Sequence, residues 1–246
     1  MARGGAIIHE LYREMVSRIV PDISTGELDR FAESFIRDHE GAVPAFKGLY
    51  GFPGSICASI NDEVVHGIPS DERLLEEGDL LSLDTGVVLD GWCSDSAWTF
   101  PVGEVSKDKV ALLEVTRTAL DAAITAAVVG NHIGDIGHAV EQVVEGTGFE
   151  IVRDLVGHGI GRKVHEDPQI PNRGTPGDGP ALRAGMTLAI EPMISAGSWR
   201  IRTLSDRWTM STVDGAASAH FEHTVGVTQQ GPRVLTGAPV SLEGRL

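Results

Sequence analysis

The sequence is poor in cysteine, in positive charge and in long apolar runs, and each shortage removes a class of protein. Two cysteines, Cys57 and Cys93, cannot build a disulfide framework in a chain of 246 residues. The expectation is therefore a soluble protein of a reducing compartment, the cytoplasm. Lys and Arg number 20 against 35 Asp and Glu, a formal net charge of −15. A surface that acidic repels phosphate backbones and anionic lipid, which argues against nucleic-acid readout and membrane docking. The best apolar run, 119–129, is interrupted by Asp121 and Thr125 and falls short of the roughly 18 residues a membrane span needs. The N-terminus offers Arg3 and then acidic, helix-like sequence, so no signal peptide is expected. HExxH, GxSxG and a phosphate-binding loop are also missing, and zincin, serine-hydrolase and nucleotide readings fall with them.

What is present reads as a globular α+β chain. Residues 5–19 put Ile8, Leu11, Tyr12, Met15 and Ile19 at helical spacing, and Pro21 ends the run. A second helix starts at Ser24 or Thr25 and buries Leu28, Phe31, Phe35 and Ile36. A third runs over about 107–129 and a fourth over about 133–145, closed by Gly146 and Gly148. The two pairs echo each other. Gly26-Glu27-Leu28 returns as Gly134-Asp135-Ile136, 108 residues later, and Glu10 and Arg13 return as Glu114 and Arg117, 104 later. An internal duplication is expected: one domain over 1–246 with halves 1–105 and 106–246, each a helix pair followed by strands. Strands are predicted at 57–60, 64–66, 80–89, 92–100, 151–156, 187–195, 199–204 and 218–228, and a surface loop at 171–180.

Several carboxylates stand where apolar residues belong. Asp90-Gly91 between apolar runs is a two-residue hairpin signal. That turn pairs Asp84 with Ala97 and Asp95 with Gly86, so both aspartates project from one face as diagonal neighbours. Glu191 ends the apolar run 187–190 and is held extended by Pro192. Glu222 sits in a strand whose Phe221, Val225 and Val227 alternate to the opposite face. His158 lies among Gly157, Gly159 and Gly161, which let the backbone approach whatever the imidazole binds. A single strand carboxylate is ordinarily edge-exposed or paired with Arg, but five such anomalies in one chain are not explained that way. Four carboxylates and one imidazole balance two divalent cations, and an oxygen-rich set with one nitrogen suits Mn, Fe or Co.

In order, LSLDTG (Asp84), CSDSAW (Asp95), GHGIGR (His158), AIEPM (Glu191) and FEHT (Glu222) resemble the type I methionine aminopeptidases of the pita-bread metallopeptidase fold. VVHGIP at 64–69 and HEDP at 165–168 match the family's motifs too, and the resemblance spans nearly the whole chain. It implies two pseudo-symmetric halves with antiparallel strands. It also implies a cytoplasmic hydrolase that removes initiator methionine from peptides and nascent chains, preferring a small second residue. Asp84 would chelate one ion, Asp95 and Glu222 would bridge both, and His158 with Glu191 would complete the other. Glu191 would also shuttle the proton, His165 would polarise the carbonyl, and His66 would orient the substrate amide. Phe52, Cys57 and Trp208 align with the walls of the methionine pocket, while Val164 replaces a larger residue and bears on its width. A monomer is the default expectation, and the acidic surface limits any ribosome contact to a transient one. The competing readings are an X-Pro peptidase of the same fold, which usually carries an extra N-terminal domain, and a non-catalytic binding module, which typically loses ligands. His9, His39, His132 and His138 are expected to be structural, and His220 and His223 to support or pack around the site.

Overall fold

The computed structural model describes residues 1–237. The apolar stripes fold as amphipathic helices. α1 (Ala2–Val16) buries Ile8, Leu11, Tyr12 and Met15, and α2 (Thr25–Arg37) buries Leu28, Ala32 and Ile36. Ser24 caps α2: its hydroxyl accepts from the Glu27 N–H, and the Glu27 carboxylate accepts from the Ser24 N–H, both at 3.1 Å. Such a reciprocal cap stabilises a helix start by about 1 kcal/mol. Five strands follow: β1 (Ala42–Pro44), β2 (Ile56–Ile60), β3 (Glu63–Val65), β4 (Leu80–Leu89) and β5 (Trp92–Pro101).

The second helix pair is α3 (Lys107–Ala126) and α4 (Ile133–Val144). After it come β6 (Glu150–Ile151), β7 (Val156–Gly159), β8 (Glu166–Pro171), β9 (Thr187–Ile190) and β10 (Met193–Ser195). The last strands are β11 (Ile201–Thr203), β12 (Met210–Thr212), β13 (Ser218–His220), β14 (His223–Thr228) and β15 (Gly231–Val234). Helix pair, antiparallel strands, helix pair, antiparallel strands: this is the pita-bread arrangement. One sheet holds β4 between β5 and the pair β1 and β2, and another runs β15-β14-β9-β7-β8. The main apolar core reaches from Ile8 on α1 to Val227 on β14.

The β4–β5 hairpin has the predicted register, with Asp84 opposite Ala97 and Gly86 opposite Asp95. Its turn residues Asp90 and Gly91 have φ of 53° and 70°, the doubly positive pair that a type I′ turn requires. Other boundaries differ from expectation. The strand expected at 187–195 breaks at Glu191-Pro192 into β9 and β10, and the one at 218–228 breaks at Phe221-Glu222 into β13 and β14. Both breaks fall on the anomalous glutamates, where leaving the ladder turns the carboxylates toward the interior. The strand expected at 151–156 splits into β6 and β7. α3 stops at Ala126 because Ala127 leaves helical geometry (ψ 58°). β8 was not expected; as an edge strand it tolerates Pro168.

A seam of small hydroxyl residues joins β5 to the last strands. The Asp95 N–H donates to Thr224 Oγ1 at 2.9 Å, and that hydroxyl donates back to the Asp95 carbonyl at 2.8 Å. Two residues along, the Glu222 N–H donates to the Ala97 carbonyl at 2.8 Å, and Ser96 Oγ donates to the Glu222 carbonyl. Further on, the His220 N–H donates to Thr99 Oγ1, which donates to the His220 carbonyl. This antiparallel stitching brings Asp95 and Glu222 together from segments more than a hundred residues apart. Thr224 is fully buried, so Thr224→Val should leave both Asp95 main-chain groups unpartnered. The expected cost is about 1–3 kcal/mol, read as a lower midpoint in urea denaturation.

Candidate metal and active site

A cavity of about 950 Å³ is lined by Asp84, Asp95, His158, Glu191 and Glu222 together with His66, His165, Phe52, Cys57 and Trp208. The structure thus gathers every sequence-predicted site residue around one space. Asp84 comes from the middle of β4 and Asp95 from β5, while His158 lies on β7. Glu191 and Glu222 come from the two strand breaks. Asp95 and Glu222 are buried, at 3% and 2% exposure. Ligand atoms of Asp95, His158 and Glu222 all lie within 4.8 Å of one another, close enough for one cation.

The histidine is oriented for ligation. His158 Nδ1 lies 2.9 Å from the Gly159 carbonyl. A carbonyl can only accept, so Nδ1 carries the proton and Nε2 offers its lone pair to the cavity. Nε2 is 3.6 Å from Glu191 Oε1. Gly157 makes this approach possible, because a Cβ there would stand 2.4 Å from the Ala189 carbonyl oxygen.

The electrostatics are those of a cation site. Burial, and then mutual repulsion, pushes the carboxyls of Asp95 and Glu222 well above the ordinary range. Burial raises Asp84 to about 7 against the pull of His220, and raises Glu191 to about 7 against that of His158. Among the described residues none of the four pairs with Lys or Arg, and Asp84 Oδ1, Asp95 Oδ1 and Glu222 Oε1 are buried without a hydrogen-bond partner. Buried native oxygens are rarely left so. Hard oxygen donors with one imidazole, unpartnered and facing one another, fit divalent cations.

The two further histidines are uncharged at neutral pH. Burial lowers His66 to about 4, with His220 adding to the effect, and burial also lowers His165. His66 has φ 61°, a left-handed backbone that is uncommon for a side chain of this size. The apolar wall is built by Phe52 and Trp208, edge to face at 5.2 Å between centroids. Val164 and Cys93 pack in one apolar cluster with the cavity residues Phe46, Phe52 and Cys57.

Among the cavity residues that sequence reasoning did not single out are Phe46 and Tyr50. Phe46 was hidden because its place depends on Gly86, where a Cβ would meet its ring at 3.0 Å. His220 lies on the cavity wall, with Nε2 3.4 Å from Glu191 Oε2; its sequence position beside Glu222 was the available signal. His223 instead packs away from the cavity, 2.9 Å from Thr236 Oγ1. His9, His39, His132 and His138 lie on or at the ends of helices, outside the cavity.

Residues 1–229 match the family model Metallopeptidase family M24. The chain belongs to that family. Among curated relatives, a methionine aminopeptidase of Clostridium perfringens is 50% identical over 96% of this chain and 94% of its own length. The crystal structure of methionine aminopeptidase from Thermotoga maritima superposes with TM-score 0.94 at 44% identity, covering 97% of this chain and 95% of that one. The prolidase of Pyrococcus furiosus superposes with TM-score 0.79 at 21% identity and is covered over 63% of its length. That last likeness shows the shared fold alone.

Proposed function

We propose that this chain is a divalent-metal aminopeptidase that removes N-terminal methionine from peptides and nascent chains, preferring a small second residue. The observation that carries the reading is the convergence of four uncompensated carboxylates and His158 beside an apolar wall, in a chain half identical to a methionine aminopeptidase. Asp84 would hold one ion, Asp95 and Glu222 would bridge two, and His158 with Glu191 would complete the second; Co, Mn and Fe suit the donors. Once bound, such ions supply Lewis acidity toward the scissile carbonyl and toward water.

The chain's own residues do the rest. Glu191 accepts a proton from the attacking water and passes it to the leaving amine. Neutral His165 donates to the carbonyl oxygen as charge develops there, and neutral His66 donates to the substrate amide. Phe52, Cys57 and Trp208 take the methionine side chain, whose unbranched thioether suits aromatic edges. We further infer one catalytic domain with halves meeting near residue 105, acting as a monomer in the cytoplasm with transient ribosome contact. Among the described residues no helix is long and apolar enough to cross a membrane.

Competition between Met-Ala-Ser and an X-Pro tripeptide tests the reading. Release of methionine should exceed X-Pro cleavage by about 100-fold or more, because an apolar pocket gains on the order of 1–3 kcal/mol per added methylene. Faster X-Pro cleavage would establish the prolidase alternative. No cleavage of either peptide with Mn, Fe or Co present would favour a binding module.

A further inference from the structure

Tyr50 is an odd residue for the place it holds. It sits in the short turn Leu49–Gly51 with φ 51° and ψ 16°, left-handed geometry that a bulky side chain adopts only at a cost. Gly48 and Gly51 on either side also have positive φ, 84° and 91°. The turn is tied down at both ends: the Leu49 N–H donates to the Phe46 carbonyl and the Phe52 N–H to the Leu49 carbonyl, each at 2.9 Å. Phe46 and Phe52 belong to the apolar cluster at the pocket, so the strained residue is anchored to it. Yet Tyr50 is 75% exposed. Burial in the free chain does not offset the strain, and backbone strain that persists tends to serve a site.

The ring has a direction. It lines the cavity and lies nearly parallel to the His165 ring, 5.9 Å between centroids and 16° between planes. His165 in turn meets His158 edge to face at 4.5 Å. A row of three rings therefore runs from solvent to the carboxylate cluster, with Tyr50 at its outer end. Tyr50 lines the same cavity as Phe52, Cys57 and Trp208 and is the exposed end of this row, so it stands where that cavity meets solvent and where a peptide held in the apolar pocket can extend.

We propose that Tyr50 is a positioning and specificity residue for the peptide beyond its second residue, forming an aromatic lip on which the third residue lies. This rests on the aminopeptidase function proposed above. It makes the preferred substrate class peptides of three or more residues, with apolar or aromatic third residues favoured. The lip acts through binding of the extended peptide, so its loss appears in KM more than in kcat.

The experiment compares Met-Ala amide with Met-Ala-Phe-Ser amide in wild type and in Tyr50→Ala, Tyr50→Phe and Tyr50→Gly. An aromatic contact of this kind corresponds to about a 2–10-fold change. KM for the longer peptide should rise by about that factor in the Ala variant, clearly more than for the dipeptide, with Phe restoring it. The Gly variant should show the same KM loss together with a raised melting temperature, because glycine accepts φ 51° without strain. Equal KM changes for both peptides, no change in either, or a fall in kcat alone would overturn the proposal; the last would reduce Tyr50 to a support for His165. Wild type failing to cleave either peptide would instead sink the function on which it rests.

Discussion

Asp95→Asn should lower kcat/KM by about 10³-fold or more and, without metal, make the folded chain more stable. The two effects share one cause. Asp95 is buried, its Oδ1 has no partner, and its neighbours are other carboxylates. Asparagine keeps the volume but removes the charge and turns a donor amide toward the cluster. A bridging position then loses an anionic oxygen, at a cost greater than the 10–100-fold typical of residues that merely support ligands. In the metal-free state the same change removes one member of a mutually repelling set. The main-chain bonds from Asp95 to Thr224 do not involve the carboxylate, so the local fold survives. Steady-state kinetics with Mn and thermal melts in EDTA check both halves. A metal-free variant less stable than metal-free wild type would mean that Asp95 has another partner.

Metal removal should abolish activity and change how stability depends on pH. In the ion-free chain Asp84 and Glu191 titrate near 7 when folded, against 3.8 and 4.5 for ordinary carboxyls. The folded state then binds more protons than the unfolded state, so stability falls as pH climbs between those values, by about 1.4 kcal/mol per pH unit for each group titrating. Five histidines oppose this lower down. His66 and His223, each lowered to about 4 from 6.5, and His158, His165 and His220, which burial also lowers, add stability as pH rises toward 6.5. Above about pH 6.5 the histidines contribute no further change, and the carboxylates act alone. From pH 6.5 to about 7 the EDTA-treated chain should therefore lose urea resistance, with Asp95 and Glu222, whose carboxyls are raised further, extending the loss above that. The Mn-loaded chain should hold or gain it, because ligation tightens as protons leave. Parallel pH profiles for the two forms would contradict a cation site at these residues.

The site was legible in the sequence to the degree that charge opposes burial. Asp84 and Asp95 betray themselves because a two-residue Asp-Gly turn sets the register, and the structure has that register residue for residue. Glu191 was visible through Pro192, although the strand break that aims it inward was not. What could not be read depends on distant partners. The Ser96, Thr99 and Thr224 seam looks like ordinary strand polarity until β5 is laid against the final strands. Phe46 reaches the pocket only because Gly86 lacks a side chain on a different strand. His220 read only as a residue that supports or packs around the site, because its distance to Glu191 is set by the pairing of β10 with β13, Met193 opposite His220, and not by spacing along the chain. β8 escaped because Pro168 signals a loop unless the strand is known to lie at an edge.

The central claim is that the buried acids are assembled around cations. The most direct measurement is an anomalous difference map from crystals grown with Mn²⁺, recorded at the manganese absorption edge. Two peaks about 3.5–4 Å apart, enclosed by Asp84, Asp95, His158, Glu191 and Glu222, are the predicted result. Manganese bound only elsewhere, with these side chains protonated and hydrogen-bonded to one another, would contradict it.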